Sequence, residues 1–162
     1  METIYCRNLR EIKKERESLE RKLKVKIEIK GRNVIIRGDS IDEYVASKIL
    51  DAVSIGFPLK IACLLQDENF MFEKINIKNF TKRKNLFLIR ARIIGTHGKT
   101  KKTVEEISDC KVIMKDNIVA IIGPSDSVEY ALLGIINIIK GSKQANIYKY
   151  LEKINKERKK NL

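Results

Sequence analysis

Polar and apolar residues alternate along Lys24-Val25-Lys26-Ile27-Glu28-Ile29, Gly31-Arg32-Asn33 supplies a turn, and Val34-Ile35-Ile36 resumes an apolar run. A period of two interrupted by a glycine turn predicts a β-hairpin. Beyond Gly38, Asp39 and Ser40 offer a helix N-cap, and Tyr44, Val45, Ile49, Ala52 and Val53 recur at helical spacing until Gly56 stops the helix. The unit is strand, strand, helix.

The same order returns downstream. Lys111-Val112-Ile113-Met114 leads through a turn at Asp116-Asn117 to Ile118-Val119-Ala120-Ile121-Ile122, and Gly123 precedes a helix that Ser125 is placed to cap and that runs to Gly141. Gly38 and Gly123 lie 85 positions apart, and at or near that offset Glu43-Tyr44 answers Glu129-Tyr130 and Leu19-Glu20 answers Val104-Glu105. Agreement across turn, cap and helix points to a duplicated module of roughly 70 to 80 residues, a common size for a small domain. Between the repeats, Gly56-Phe57-Pro58 opens a short helical stretch from Leu59 to Leu65, and Phe72, Ile75 and Ile77 follow as a short strand. The large apolar residues of this connector predict that it packs the two modules together.

In the second module, Leu86-Phe87-Leu88-Ile89 runs into Arg90-Ala91-Arg92-Ile93-Ile94, then Gly95-Thr96-His97-Gly98, then Lys99-Thr100-Lys101-Lys102-Thr103-Val104. The glycines fall between two short helices. Residues without side chains let a nucleic-acid backbone come close, and the free N–H groups and dipole at the start of the next helix favour phosphate. A bare Gly-x-x-Gly arises by chance in about one window in 200 at ~7% glycine usage. Its setting carries more weight, because strand, helix, Gly-x-x-Gly, helix, strand, strand, helix is the order of a type I KH domain, whose loop clamps single-stranded nucleic acid. Ile94, Val104, Ile107 and Val112 are then expected to divide between the core and an apolar groove for bases. Phe87 is expected to face the core, and His97 to brush phosphate as an exposed side chain without catalytic work.

Charge supports this location. The chain carries a formal net charge of +13, which suits a polyanionic partner. Residues 1–80 hold 16 Lys/Arg against 13 Asp/Glu, residues 81–162 hold 18 against 8, and residues 81–102 hold eight basic residues and no acid. By the 85-residue offset, the first module has Arg10-Glu11-Ile12-Lys13 where the loop glycines belong. Side chains there, one acidic, would block a close backbone, so the first module is expected to be a scaffold or protein-docking surface. The tail from Gln144 places Ile147, Tyr148, Leu151 and Ile154 at helical spacing among Lys149, Lys153, Lys156, Arg158, Lys159 and Lys160. Its apolar stripe is a packing face; its basic face either extends an RNA path or is simply solvated.

Other classes fit poorly. No apolar run approaches the ~18 residues of a membrane span, and Met1 to Arg16 is too charged for a signal peptide, so a cytoplasmic protein is expected. Cys6, Cys63 and Cys110 with a single histidine support neither a disulfide framework nor a zinc site; they read as buried small residues. No phosphate-binding P-loop, metal cluster or nucleophile–base arrangement is visible, so no catalytic residue, metal or cofactor is assigned.

The run from Arg92 to Glu106, the segment Val119-Ala120-Ile121-Ile122-Gly123 and the tail Asn146-Ile147-Tyr148-Lys149-Tyr150-Leu151-Glu152 resemble the Dim-two family, KH-domain ribosome-assembly factors also called partner of Nob-one. The resemblance is strong over residues 84–160 and mainly one of layout over residues 1–80. Gly56-Phe57-Pro58 and Leu64-Leu65 also look like that family's connector. It implies binding near the 3′ end of small-subunit ribosomal RNA, association with the Nob-one endonuclease, and in archaeal members contact with the alpha subunit of initiation factor two. By position, it implies RNA contacts at Gly95, Thr96, His97, Gly98, Lys99, Lys101 and Lys102, with Arg90 and Arg92 beside them. The missing first-module glycines depart from relatives that keep them.

The expectation is therefore an α+β chain of two tandem type I KH domains, each strand-helix-helix-strand-strand-helix, packed together with a C-terminal helix. Residues 1–56 form a degenerate domain, 57–80 a packed connector, and 81–162 the intact domain. The function expected is single-stranded RNA binding in small-subunit assembly; the alternative is an adaptor that recruits a nuclease or initiation factor, with RNA binding secondary.

Overall fold

The computed structural model describes Met1–Asn161 and forms two compact units, Met1–Glu68 and the chain from Asn69 onward. The first unit runs β1 (Glu2–Tyr5), α1 (Arg10–Lys14), α2 (Arg16–Leu23), β2 (Lys26–Lys30), β3 (Asn33–Arg37), α3 (Ser40–Ile55) and the short α4 (Leu59–Ala62). Its antiparallel sheet has the order β1-β3-β2. The alternation seen in the sequence puts Ile27, Val34 and Ile36 on the covered face, against Leu19, Ile49 and Leu50 of the helices.

The second unit runs β4 (Phe70–Asn76), α5 (Leu86–Ile94), α6 (Lys99–Ser108), β5 (Lys111–Lys115), β6 (Ile118–Pro124), α7 (Ser125–Ile139) and α8 (Gln144–Lys160). Its antiparallel sheet has the order β4-β6-β5. The central β6 is buried without interruption from Val119 to Ile122, which explains its continuous apolar run. Ile89, Ile93, Val128 and Ile135 close the core over it, and Ile147 and Leu151 seat α8 on the same cluster.

Both units thus follow the expected strand-helix-helix-strand-strand-helix order, with a further C-terminal helix. The repeat extends to individual interactions. β2 and β5 start at Lys26 and Lys111, and α3 and α7 at Ser40 and Ser125, each pair 85 positions apart. Lys24 and Asp109, at that same offset, close α2 and α6 with left-handed φ of 58° and 57°. In the first unit the Glu20 carboxylate accepts from the Ile27 N–H and from Arg16. In the second, Glu105 accepts from the Val112 N–H at 2.9 Å and from Lys101 at 3.3 Å, the same three positions shifted by 85. A Cβ on Gly38 would meet Val25 Cγ1 at 3.0 Å, and one on Gly123 would meet Cys110 Sγ at 2.4 Å, so each glycine admits the residue before its edge strand.

Three expectations need correction. The stretch 57–80 is not one connector: the boundary falls after Glu68, and Phe70–Asn76 is the first strand of the second unit. Its apolar residues are drawn into pairing with β6, where Phe72 lies opposite Ile122. The capping side chains are also misplaced. Asp39 stands at the N-cap of α3 but makes no capping bond, and the Glu43 carboxylate instead accepts from the Gly38 N–H at 2.9 Å. Ser125 is already helical behind Pro124, and its N–H donates to the Asn69 carbonyl at 2.8 Å. Lastly, Arg10 to Lys13 do not form a loop equivalent. They belong to α1, whose Ile12 is fully buried, and α1 and α2 are joined by Glu15 alone. The offset of 85 fails upstream of this junction, because β1 and β4 begin only 68 positions apart, at Glu2 and Phe70.

Cys6 and Cys110 are buried as expected, and Cys63 is partly so. Burial pushes both buried thiols above the usual range, which keeps them protonated and unreactive.

Candidate nucleic-acid interface

The α5 helix ends where the Gly95 N–H donates to the Ala91 carbonyl at 2.8 Å. Gly95 then takes φ 77° and ψ 172°, a conformation essentially restricted to glycine. The chain turns tightly through Thr96 and His97, the Gly98 N–H donates back to the Gly95 carbonyl at 3.1 Å, and α6 begins at Lys99. His97 has φ 55° and Gly98 φ 74°, both left-handed; histidine is among the side chains that tolerate this region.

The two glycines serve different purposes. A Cβ on Gly95 would lie 2.2 Å from Thr100 Oγ1 and 2.7 Å from the Thr100 amide nitrogen, so the first glycine lets the loop fold down onto a buried threonine. A Cβ on Gly98 would meet nothing within 4 Å. That position is open, and it is the N-cap of α6 with no side chain capping the helix. The Lys99 N–H is used within the turn, donating to the Thr96 carbonyl, but the positive end of a ten-residue helix lies beneath an unobstructed glycine, the geometry that favours an anion. Thr96, His97, Lys99 and Lys102 are exposed around it. Lys101 is turned toward Glu105, which also caps the outer edge of β5 through Val112.

Next to the loop, Phe87, Arg90, Ala91, Ile94 and Gly95 face Met114, Asp116 and Asn117 across an open groove of about 760 Å³. One wall is α5 and the other is the edge strand β5 with its turn. Strand residues alternate direction; since the Val112 N–H points away from β6, the main-chain groups of Met114 also point outward, into the groove. Arg90 spans the groove's end, donating to Asn117 Oδ1 at 2.6 Å, while the Asn117 carbonyl accepts from the Ile77 N–H.

Of the four apolar residues expected to divide between core and groove, Val104 and Val112 are buried, Ile107 packs partly against the core, and Ile94 is 39% exposed in the groove. Phe87 does not face the core: it is 66% exposed and lines the groove. Because Leu86 and Ile89 take the covered face of α5, Phe87 and Ala91, one turn apart, fall on the groove side.

Arg92 is not brought to this site. Its guanidinium donates to the Ile138 carbonyl at 2.8 Å and the Ser142 carbonyl at 2.5 Å, tying α5 to the end of α7. Arg92→Gln is expected to lower stability by about 2–3 kcal/mol, since charged hydrogen bonds to partly buried carbonyls are lost. It should leave the site's ligand affinity unchanged, which denaturant unfolding and titration of the folded variant would read together.

Among the described residues, no group of His, Cys, Asp and Glu is arranged to hold a metal ion, and no helix is long and apolar enough to cross a membrane.

Residues 71–156 match the eukaryotic-type KH domain (KH-domain type I). A KH domain-containing protein of Methanocaldococcus jannaschii is 27% identical over 145 residues, covering 85% of this chain and 64% of that protein. The pre-rRNA-processing protein PNO1 of Coccidioides immitis is 30% identical over 135 residues, covering 78% of this chain and 53% of that one. The chain thus spans less than two thirds of either relative. Among solved structures, Dim2p of Pyrococcus horikoshii superposes with a TM-score of 0.86 at 29% identity, covering 94% of this chain and 98% of that one. The same organism's aDim2p, solved in a complex with a/eIF2alpha and rRNA, superposes with a TM-score of 0.85 at 28% identity, covering 96% and 94%.

Proposed function

The chain belongs to the eukaryotic-type KH-domain (type I) family, and from that premise we propose that it is a non-enzymatic, cytoplasmic factor of small-ribosomal-subunit assembly that binds single-stranded RNA near the 3′ end of the small-subunit rRNA. The observation that carries this reading is the uncapped start of α6 beneath the open Gly98, with a mixed apolar and polar groove beside it.

The chemistry follows from the geometry. A phosphate rests over Gly98 at the positive end of the α6 dipole, with Lys99 and Lys102 neutralising the backbone and Lys101 shared with Glu105. Bases attached to that backbone turn into the groove. Ile94 and Phe87 give them apolar and stacking contacts, while the Met114 main chain, Arg90 and Asn117 meet their polar edges.

Phe87→Ala should weaken binding of a single-stranded oligonucleotide from the rRNA 3′ end by about 1–3 kcal/mol, the worth of one base–aromatic stack, without loss of stability. Fluorescence anisotropy at several salt concentrations checks it. A wild-type chain with no salt-dependent affinity for single-stranded RNA would sink the proposal.

The relative solved together with a/eIF2alpha and rRNA favours a second, compatible role in which this chain also holds the initiation factor's alpha subunit; the Nob-one endonuclease, implied by the sequence resemblance alone, is proposed as a further partner. The first unit, whose α1 and α2 meet at Glu15 without a loop, is assigned to that protein docking. Loss of RNA binding with partner binding intact would separate the two surfaces.

A further inference from the structure

The α8 helix is rotationally fixed. Ile147 and Leu151 are buried in the second unit's core. One turn beyond Ile154, Arg158 is only 10% exposed and pairs with Asp109 at the end of α6 and Asp126 at the start of α7. At 100° per residue these positions share one face. On the opposite face, Lys149, Lys153, Lys156 and Lys160 fall within a band of about 60° and extend over ~16 Å of helix. All four are exposed, and none pairs with another group among the described residues. The helix's acids, Glu152 and Glu157, lie to either side of the band.

We propose that this lysine face is a second RNA-backbone site, taking the phosphates of RNA that flanks the strand held in the groove. The proposal rests on the RNA-binding reading above. Neighbours three and four apart stand about 5–6 Å from one another, so the band offers a regular row of point charges suited to a polyphosphate backbone. It contains no apolar or aromatic anchor of the kind that carries protein–protein affinity, where lysine is depleted. A membrane surface would need the helix's apolar face, which is buried. The arrangement reads no bases and adds affinity without sequence preference.

The test uses the full chain with two RNAs: a single strand no longer than the groove, and the same strand extended by a hairpin. In a Lys149→Gln, Lys153→Gln, Lys156→Gln, Lys160→Gln variant, affinity for the short strand should stay at the wild-type value. For the extended RNA, the slope of log affinity against log salt should shrink by about 3, at roughly 0.7–0.9 per lost phosphate contact. Arginine at all four positions should keep the wild-type slope. An unchanged slope in the glutamine variant overturns the proposal, as does an acidic peptide whose binding depends on these lysines while RNA binding does not. If the wild type fails to bind the short strand, the groove reading itself falls; if it binds the short strand and the hairpin adds no salt dependence, only the α8 site falls.

Discussion

Replacing Thr96 and His97 together by aspartate should reduce affinity for single-stranded RNA on the order of a hundredfold or more while leaving the fold intact. Both side chains are exposed, and aspartate tolerates the left-handed φ of 55° at position 97. The new carboxylates sit just before the uncapped start of α6, where the helix dipole favours negative charge by about 0.3–1 kcal/mol, so stability should hold or rise slightly. The same feature makes them competitors for the phosphate. Each repels an incoming phosphate by about 1 kcal/mol if water separates them and by about 4 kcal/mol at 4 Å near a protein surface. Wild-type affinity at moderate salt, measured on a variant with an unchanged melting curve, would show that the loop is not the clamp. A charge-neutral Thr96→Ser, His97→Asn pair should retain binding, because the α6 dipole and the open glycine do not depend on those side chains.

Much of this site was legible because its signals are local. Glycine marks where φ is positive, alternation marks a half-buried strand, and the 85-residue offset persists from the end of α2 through α7. It holds there because Glu20 and Glu105, Lys24 and Asp109, and Gly38 and Gly123 occupy matching geometries. Direction was harder to read. Eight basic residues within positions 81–102 count charge without orienting it, and Arg90 and Arg92 look alike in sequence. Two residues apart on a helix they point about 200° from each other, so only one can face the groove, and that periodicity was a usable signal. The core position expected for Phe87 reflects a stretch, Leu86-Phe87-Leu88-Ile89, with no polar residue to set a phase. Its exposure makes sense only once β5 and its turn stand opposite, a tertiary contact no short window contains. The capping positions are hard to read for a related reason: the groups that bond at the two helix starts are Glu43, one turn inside α3, which takes the Gly38 N–H, and the carbonyl of Asn69, distant in sequence and just before β4, which takes the Ser125 N–H.

The two loop glycines should respond differently to alanine. At Gly95, the substitution forces a side chain into a conformation that is essentially glycine-only, at about 1–3 kcal/mol, and drives a Cβ into Thr100. Thr100 is buried, and the contact includes its main-chain nitrogen, so the loop cannot relieve the overlap by rotating one side chain. A total loss of about 3 kcal/mol or more is expected, with RNA binding lost as the loop lifts off α6. At Gly98 the added methyl meets open space, and only the left-handed φ of 74° is penalised, at about 1–2 kcal/mol. Gly98→Ala should therefore fold, yet its Cβ stands where the phosphate must approach the start of α6, so affinity should fall well beyond the stability change. Denaturant unfolding of both variants and RNA titration of Gly98→Ala read these effects separately. Equal stability losses would mean the loop does not fold onto Thr100, and wild-type affinity in Gly98→Ala would mean the backbone does not pass over that glycine.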